Sequence, residues 1–142
     1  MTDDNSSVFS KTAEGVEPPG KFYVEFRFNI SPELIYKYLT EPNELAEWFC
    51  DEVNIRNGIY TFVWNGAPQQ ARLVRHERNS MVRFQWIDKT DGSYFEYKID
   101  RNFLTGDVSL HITDFSEPFE IEKNKLWWAN QISKLKNLLG AH

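Results

Sequence analysis

Residue types that could support catalysis or metal binding cluster in one short stretch, LAEWFCDEVN at residues 45–54. It holds the only cysteine of the sequence, Cys50, and three carboxylates, Glu47, Asp51 and Glu52. A cysteine beside a general base can act as a nucleophile. Carboxylates four residues apart can share a helix face and bind a cation. The stretch therefore raises two chemical hypotheses, a thiol nucleophile and a metal site.

The nucleophile hypothesis lacks a base. The sequence contains three histidines, His76, His111 and His142. His111 falls on the outer face of its predicted strand, His76 lies among charged residues at a strand end, and His142 is the last residue. Acidic neighbours also raise a thiol pKa, because they disfavour the thiolate. We therefore predict that Cys50 is a small, partly buried residue at the end of a helix.

The sequence also lacks the signatures of a metal or cofactor site. It has no glycine-hinged calcium loop and no histidine pair at helical spacing, so the three carboxylates are predicted to form a solvated acidic edge. Phosphate-binding and dinucleotide-binding loops are missing as well. Paired-carboxylate hydrolysis needs acids that face the interior, and none of the predicted inward positions is acidic. The sequence predicts no catalytic residue, no metal and no cofactor.

Charge and composition narrow the class of protein. The 142 residues carry a net charge of −5, and residues 1–20 contribute much of it through four acids and one lysine. The remainder has no basic face for nucleic acid. A single cysteine permits no internal disulfide, which fits a reducing compartment. Without a secretory signal or a run of about 20 apolar residues, we expect a cytoplasmic protein that is not embedded in a membrane.

The elements that would position these residues follow from two periodicities. In KFYVEFRFNI, from Lys21 to Ile30, apolar residues alternate with polar ones, which predicts a strand. SPELIYKYLT and EPNELAEWF predict two short helices, the first capped by Ser31. Five alternating segments follow as strands, and a further short strand is predicted at Glu52–Arg56. Turn residues such as Asn57-Gly58 separate them, so neighbouring strands are predicted to be antiparallel.

The two ends of the chain differ in character. Residues 1–20 are polar and end in EPPG, so they are predicted to be a flexible acidic leader before a single domain at residues 21–140. The last element is predicted to be a long helix from about residue 117 to residue 139, capped by Ser116 and stopped by Gly140. Its apolar stripe consists of Ile121, Trp128, Ile132, Leu135 and Leu139.

Such a stripe must pack against a large apolar surface, and one face of the sheet is the only candidate. The fold class is therefore α+β, with a curved antiparallel sheet of about six to seven strands wrapped on the long C-terminal helix. The predicted inner face of the sheet consists of Phe22, Val24, Phe26, Phe28, Phe62, Trp64, Leu73, Phe84, Trp86, Phe95, Tyr97, Val108, Leu110 and Ile112. The predicted outer face includes Arg83, Gln85, Glu96, Lys98, Ser109, His111 and Thr113. The inner rings predict either a dense core or an apolar ligand pocket.

Several segments resemble one known family. They are SPELIYKYLTEPNELAEWFCDEVN, TFVWNG, VRFQW, YFEYKI, LTGDVSLHITDF and WWANQISKLKNLLG, and the match runs from about Lys21 to Gly140. Their order resembles the START-like proteins of the SRPBCC helix-grip superfamily. Within it, the chain is similar to bacterial proteins related to activators of the heat-shock-protein-90 ATPase. The resemblance implies a helix-grip fold with an interior cavity and without a fixed catalytic set, and it leaves the activity open.

Our first functional hypothesis is non-enzymatic binding of an apolar or amphipathic small molecule or lipid between the sheet and the final helix. Trp48 and Phe49 would plug or gate the mouth of this cavity. The predicted ligand-binding residues are Trp48, Phe49, Phe62, Trp64, Phe84, Trp86, Phe95, Tyr97, Trp128 and Ile132.

Two alternatives remain open. The first, suggested by the resemblance, is a protein-interaction module that serves as a chaperone accessory. Its contact surface would combine Trp127 with the acidic edge at Glu44, Glu47, Asp51 and Glu52. The second is a cyclase-like enzyme that would use Tyr97, although no catalytic set is evident and enzymatic activity is not expected.

Overall fold

The computed structural model describes residues 17–141. Within this range the chain forms a seven-stranded sheet and three α-helices. In chain order the elements are β1 Lys21–Phe28, α1 Pro32–Thr40, α2 Pro42–Trp48, β2 Glu52–Arg56, β3 Ile59–Trp64, β4 Ala67–Glu77, β5 Met81–Trp86, β6 Tyr94–Arg101, β7 Val108–Phe115, a 3-10 turn Pro118–Glu120 and α3 Ile121–Leu139. The predicted α+β class, the short strand β2 and the long final helix are confirmed.

All strand pairs in the sheet are antiparallel, in the order β1-β7-β6-β5-β4-β3-β2. Strands β2 to β7 form consecutive hairpins, whereas β1 returns to pair with β7 at the opposite edge. Helices α1 and α2 bridge the two edges. The first strand and the last therefore lie together, next to the start of α3.

Two tight turns set the register of β2, β3 and β4. Asn57 and Gly58 have φ of 53° and 77°, and Asn65 and Gly66 have φ of 50° and 79°. Such two-residue turns with positive φ match the twist of a hairpin. The predicted break at residues 65–68 is therefore shorter than expected, because the strand resumes at Ala67 directly after the turn.

The predicted N-terminal cap is present at helix α1 but not at helix α3. Ser31 caps α1 as predicted, since its Oγ accepts a hydrogen bond from the Leu34 amide at 3.3 Å. Ser116 does not cap α3; its hydroxyl donates to the Glu117 carbonyl at 2.9 Å. Pro118 holds Glu117 in an extended conformation, with ψ of 135°, so the α-helix begins only at Ile121.

The concave face of the sheet carries the core, and α3 lies across it. The innermost predicted residues are buried, with exposed fractions of 0–1 % at Phe62, Phe84, Phe95, Tyr97, Leu110 and Ile112. Five other members of the predicted inner face, Val24, Phe26, Trp64, Leu73 and Trp86, are only partly buried. Trp64 and Trp86 stand near the N-terminal part of α3, where the sheet and the helix leave open space.

The outer face of the sheet is less exposed than alternation alone implies. Glu96 and Thr113 were predicted to face outward, and both are buried, at 6 % and 8 % exposure. Arg83 covers this region: its Nε donates to Glu96 Oε1 at 2.8 Å, and its guanidinium lies 4.0 Å from the centroid of the Tyr94 ring. A paired carboxylate can therefore be buried on this face.

The predicted leader falls mainly on residues 1–16, which lie outside the described residues. Its final residues contact the sheet. Glu17 accepts hydrogen bonds from Lys21 Nζ at 2.9 Å and from the Tyr94 hydroxyl at 2.7 Å. These bonds hold residues 17–20 beside the outer face of β6.

Gly20 fits a position that no other residue can occupy without strain. It has φ of 89°, and a Cβ atom there would collide with the Ser116 carbonyl oxygen. We expect Gly20→Ala to lower the free energy of unfolding by about 2–4 kcal/mol, as left-handed strain and the clash add. Urea denaturation would measure this loss. Gly58→Ala is the matched control: its φ is 77°, but nothing lies within 4 Å. An equal loss in both variants would contradict the role of the contact.

Candidate functional site

The junction between α2 and the sheet is held by side chains that bond its carbonyl groups. The Trp64 indole donates to the Phe49 carbonyl at 2.7 Å. From α3, the buried Gln131 amide donates to the carbonyls of Trp48 and Phe49, at 2.9 and 3.2 Å. The Trp48 indole donates to the Tyr38 carbonyl at 2.8 Å. Helix ends leave such carbonyls without intrahelical partners, so these bonds fix the junction to both sheet and helix.

Phe49 is the centre of the aromatic core. Its ring is 2 % exposed and lies between the sheet and α3. Ring centroids within 6.4 Å of its own belong to Trp48, Phe62, Trp64, Phe95, Tyr97, Trp127 and Trp128. Most of these pairs are tilted or edge-to-face, as aromatic pairs prefer. The deep interior is therefore filled by side chains.

Open space remains on the solvent side of Phe49. A pocket of about 270 Å³ lies between the sheet and the N-terminal half of α3. We call it the aromatic pocket; it is lined by Phe49, Trp64, Gln69, Trp86, Phe95, Asp114, Asn124, Trp127 and Trp128. Half of the ten predicted ligand-binding residues line this pocket, next to helix α3.

The predicted ligand-binding residues divide into two groups. Phe49, Trp64, Trp86, Phe95 and Trp128 line the aromatic pocket. Trp48, Phe62, Phe84, Tyr97 and Ile132 are buried behind it and pack in the core. Strand alternation identifies which residues face inward, but it does not distinguish a pocket wall from the core beneath.

The expectation that no acid faces inward was wrong, because Asp114 does. It follows Val108, Leu110 and Ile112 on the inner face of β7, and it lines the pocket. The signal was present in the sequence, since one more step of the same alternation reaches residue 114. The inner face was nevertheless predicted to stop at Ile112. Gln69, Asn124 and Trp127 also line the pocket and were not among the predicted ligand-binding residues.

Asp114 is a carboxyl group in an apolar setting. Its Oδ2 accepts a hydrogen bond from the Trp128 indole at 2.9 Å, and its Oδ1 accepts one from the Phe115 amide at 2.8 Å. Burial nevertheless raises the pKa of Asp114 from its ordinary 3.8 to about 6. Among residues 17–141, no lysine, arginine or histidine nitrogen comes within 4.0 Å of this carboxyl. Within the described residues it is therefore an acceptor without an ion-pair partner.

Tyr97, the residue suspected for a cyclase-like reaction, lies in the core behind the pocket. Its side chain is fully buried, and its hydroxyl has no hydrogen-bond partner in the described part of the chain. Burial raises the pKa of Tyr97 well above its ordinary value, and the charge of Asp114 adds to the rise. The phenol is therefore neutral at physiological pH.

Cys50 is a buried thiol. Its exposed fraction is 7 %, and its Sγ lies 3.9 Å from the Leu45 carbonyl. Burial raises the pKa of Cys50 to about 12, and Asp51 adds to the rise. His111 lies on the outer face, 3.7 Å from Glu25, and His142 is outside the described residues. At neutral pH the thiol is protonated and a poor nucleophile.

The carboxylates of the same stretch do not converge. Glu47, Asp51 and Glu52 are exposed, and Asp51 Oδ2 accepts a hydrogen bond from the Asn65 amide at 2.7 Å. Asp51 thus stabilises the turn between β3 and β4. In residues 17–141, no group of three or more His, Cys, Asp or Glu side chains is arranged to hold a metal ion.

Two other concavities differ from the aromatic pocket in their lining. A groove of about 450 Å³ runs along the junction. It shares Phe49, Trp64 and Trp127 with the aromatic pocket, but it also includes the charged residues Glu47, Asp51 and Lys134. A depression of about 730 Å³ on the outer face of the sheet is lined mainly by charged residues. There Arg83 pairs with Glu96 and Arg75 with Glu77, at 2.7 and 3.7 Å. We therefore regard the aromatic pocket as the candidate site.

None of the helices within residues 17–141 is long and apolar enough to cross a membrane. No curated protein sequence matches the chain. Solved structures resemble it in fold at low sequence identity. The Aha1 dimer of Colwellia psychrerythraea superposes with a TM-score of 0.67 at 17 % identity, covering 80 % of this chain and 91 % of that one.

Two further structures show the same fold. The AHSA1-like protein of Aeromonas hydrophila has a TM-score of 0.66 at 13 % identity, with 82 % and 90 % of the two chains covered. DynU16, a protein of the dynemicin biosynthetic locus, has a TM-score of 0.73 at 14 % identity, with 87 % and 48 % covered. The model of the START-like superfamily domain matches residues 17–141. The chain therefore belongs to the START-like superfamily, and its helix-grip fold is the one shared by Aha1 and AHSA1-like proteins.

Proposed function

We propose that this protein binds an apolar or amphipathic small molecule in the aromatic pocket, without catalysing a reaction on it. The observation that carries the proposal is an open pocket walled by six aromatic side chains with one partly buried carboxyl group among them. Ligand sites are mostly apolar concavities with a few polar anchors. Asp114, Gln69 and Asn124 would be those anchors.

The exposed rings favour an occupant. The large apolar rings of Trp64 and Trp86 are only partly buried, and the Trp127 side chain is 37 % exposed. Covering apolar surface is favourable by about 25 cal/mol per Å². A ligand on these rings would gain that free energy without the core having to reorganise.

The size of the pocket limits the ligand. Its volume of about 270 Å³ lies just below the roughly 300–1,000 Å³ typical of small-molecule sites. A molecule of one or two rings fits. A complete lipid would leave most of its chain outside, so within the predicted class we favour a small molecule over a lipid.

Indole is a suitable probe ligand, and its binding can be followed by the signals of the tryptophan side chains that line the pocket. The five tryptophans give five indole N–H signals in an amide correlation spectrum. On adding indole, we expect the signals of Trp64, Trp86, Trp127 and Trp128 to shift, while that of Trp48, bonded in the core, stays in place. Native mass spectrometry of the purified protein would detect a ligand that co-purifies.

A pocket-filling variant provides the control. Gln69→Trp would fill the pocket from β4, whereas Gln70→Trp adds the same ring on the opposite face, where Gln70 bonds Thr61. Indole binding should be lost in the first variant and retained in the second. The proposal is contradicted if saturating indole leaves all four pocket signals unmoved and no molecule co-purifies.

A second candidate function is protein interaction, as a chaperone accessory. It is supported by the groove in which Trp127 lies beside Glu47 and Asp51, and by the fold shared with Aha1. Adding the protein to heat-shock protein 90 would then change its ATPase rate, and Trp127→Ala would abolish the effect. Leu138→Ala, also exposed on α3 but outside the groove, is the control. An unchanged ATPase rate and no capture of the chaperone would count against this function.

A cyclase-like enzyme remains the third candidate. Asp114 has the environment of a general acid or base, a carboxyl group with a raised pKa in an apolar site. In the described residues, however, neither a nucleophile nor a second titratable group lines the pocket with it. Ligand binding needs only the residues that line the pocket, whereas catalysis would need additional reactive groups, so we rank ligand binding first.

A further inference from the structure

We propose that the aromatic pocket selects organic cations, in which a protonated amine or a quaternary ammonium group is attached to a small apolar body. This inference rests on the proposed binding function and specifies the chemical class of the ligand. It follows from the position of one carboxyl group among tryptophan rings.

Asp114 supplies the charge. It is the only charged residue among those that line the pocket within the described part of the chain. Both of its hydrogen bonds come from neutral donors, the Trp128 indole and the Phe115 amide. No ion pair within residues 17–141 compensates its negative charge, and a partly buried charge is costly until a partner arrives. A ligand cation would supply that partner.

The tryptophan rings supply a second attraction to the same charge. The π face of an aromatic ring attracts a cation, and tryptophan is the strongest of the three aromatic side chains in this respect. Trp64, Trp86, Trp127 and Trp128 line the pocket. The rings alone would accept a neutral or a cationic apolar molecule, whereas rings around a carboxylate favour the cation.

The chain itself places a cation at the rim of this pocket. The Lys89 ammonium lies 5.6 Å from the centroid of the Trp86 ring and is close enough to lower the pKa of Asp114. It does not reach ion-pair distance of that carboxyl. An organic cation that enters the pocket can approach both groups more closely than Lys89 does.

The groups that face Asp114 define how pH acts on binding. Lys89 is positively charged, Tyr97 is neutral because of its raised pKa, and Gln69, Asn124 and Trp128 do not titrate. Asp114 is thus the group near the pocket that changes charge near pH 6. Affinity for a cation should fall as pH decreases through this value, while affinity for a neutral molecule should not.

Benzylamine and benzyl alcohol form a matched probe pair. They have the same size and shape, and benzylamine remains a cation from pH 5 to pH 7.5. We expect the protein to bind benzylamine at least about tenfold more tightly than benzyl alcohol at pH 7.5, as measured by titration of the tryptophan indole signals. The preference should shrink severalfold at pH 5.

Asp114→Asn should remove the preference for benzylamine, so that the variant binds the two probes with affinities within about twofold of each other. Asp100→Asn is the control, because it removes the same charge from the outer face of β6. If Asp114→Asn does not fold, as judged by near-ultraviolet circular dichroism, the pH dependence of the wild-type protein still tests the inference.

The outcomes separate this inference from the proposed function. Equal binding of the two probes, or a preference retained at pH 5 and in Asp114→Asn, would overturn cation selectivity while leaving small-molecule binding intact. Binding of neither probe at any pH would overturn both.

Discussion

Phe49→Ala is expected to lower the free energy of unfolding by about 3–5 kcal/mol, the cost of deleting a buried phenylalanine ring. The ring packs against three elements of the molecule, β3 and β6 of the sheet and helix α3. Its centroid lies 5.2 Å from those of Phe62 and Trp64 on β3, 5.5 Å from Phe95 on β6 and 5.8 Å from Trp128 on α3. These rigid partners cannot collapse into the space, so a cavity would remain. Urea denaturation would measure the loss.

Two variants test that interpretation. Phe49→Leu keeps most of the volume and should cost clearly less. Phe119→Ala also removes a phenylalanine ring, but this ring is 83 % exposed, so the change should stay within about 0.5 kcal/mol. If Phe49→Ala cost less than about 1 kcal/mol, the aromatic core could not be organised around this residue.

Asp114→Asn is expected to change the sign of its effect on stability between pH 4 and pH 7.5. The pKa of Asp114 is about 6 in the folded protein and ordinarily 3.8. Between these values the folded state binds more protons than the unfolded state, so stability falls as pH rises. The difference corresponds to about 3 kcal/mol of stability, which is fully present below pH 3.8 and is lost as the pH rises to about 6.

An asparagine side chain does not ionise, so the variant does not lose this stability as the pH rises. It can, however, keep only one of the two hydrogen bonds that the carboxylate accepts. The lost bond costs about 1 kcal/mol. The variant should therefore be about 2 kcal/mol more stable than the wild-type protein at pH 7.5 and about 0.5 kcal/mol less stable at pH 4.

Urea denaturation of both proteins across this pH range would measure the difference in their free energies of unfolding. The pH dependence that the other carboxylates contribute is the same in both proteins and cancels in this difference. Asp100→Asn, on the outer face, should show no such crossing. A difference that stays constant with pH would mean that Asp114 titrates normally in the folded protein.

Local features of the sequence accounted for most of the fold. The alternation in β1 and β3 to β7, the Asn-Gly turns and the Ser31 cap each involve residues close in the chain, so their physics is readable from the sequence. The start of α3 was missed for an equally local reason. Pro118 extends the residue before it, and this restriction outweighed the favourable cap at Ser116.

The pocket could be predicted only in part, because its boundary is not a local property. Phe49 and Phe62 have the same apolar character in the sequence, yet only Phe49 lines the pocket. Which inner residue meets solvent depends on where α3 crosses the sheet. That crossing is decided by contacts between residues far apart in the chain, such as Gln131 with Trp48.

The sequence by itself determined that this chain has an antiparallel sheet of about six to seven strands with an aromatic inner face and an amphipathic final helix, because periodicity, turns and caps act over a few residues. Only the tertiary structure decided which rings fill the core and which line a pocket. It also decided that Asp114 is held by the Trp128 indole in an apolar setting. Burial and the pKa of a carboxyl group depend on what the whole fold brings near it, and no short stretch of sequence contains that information.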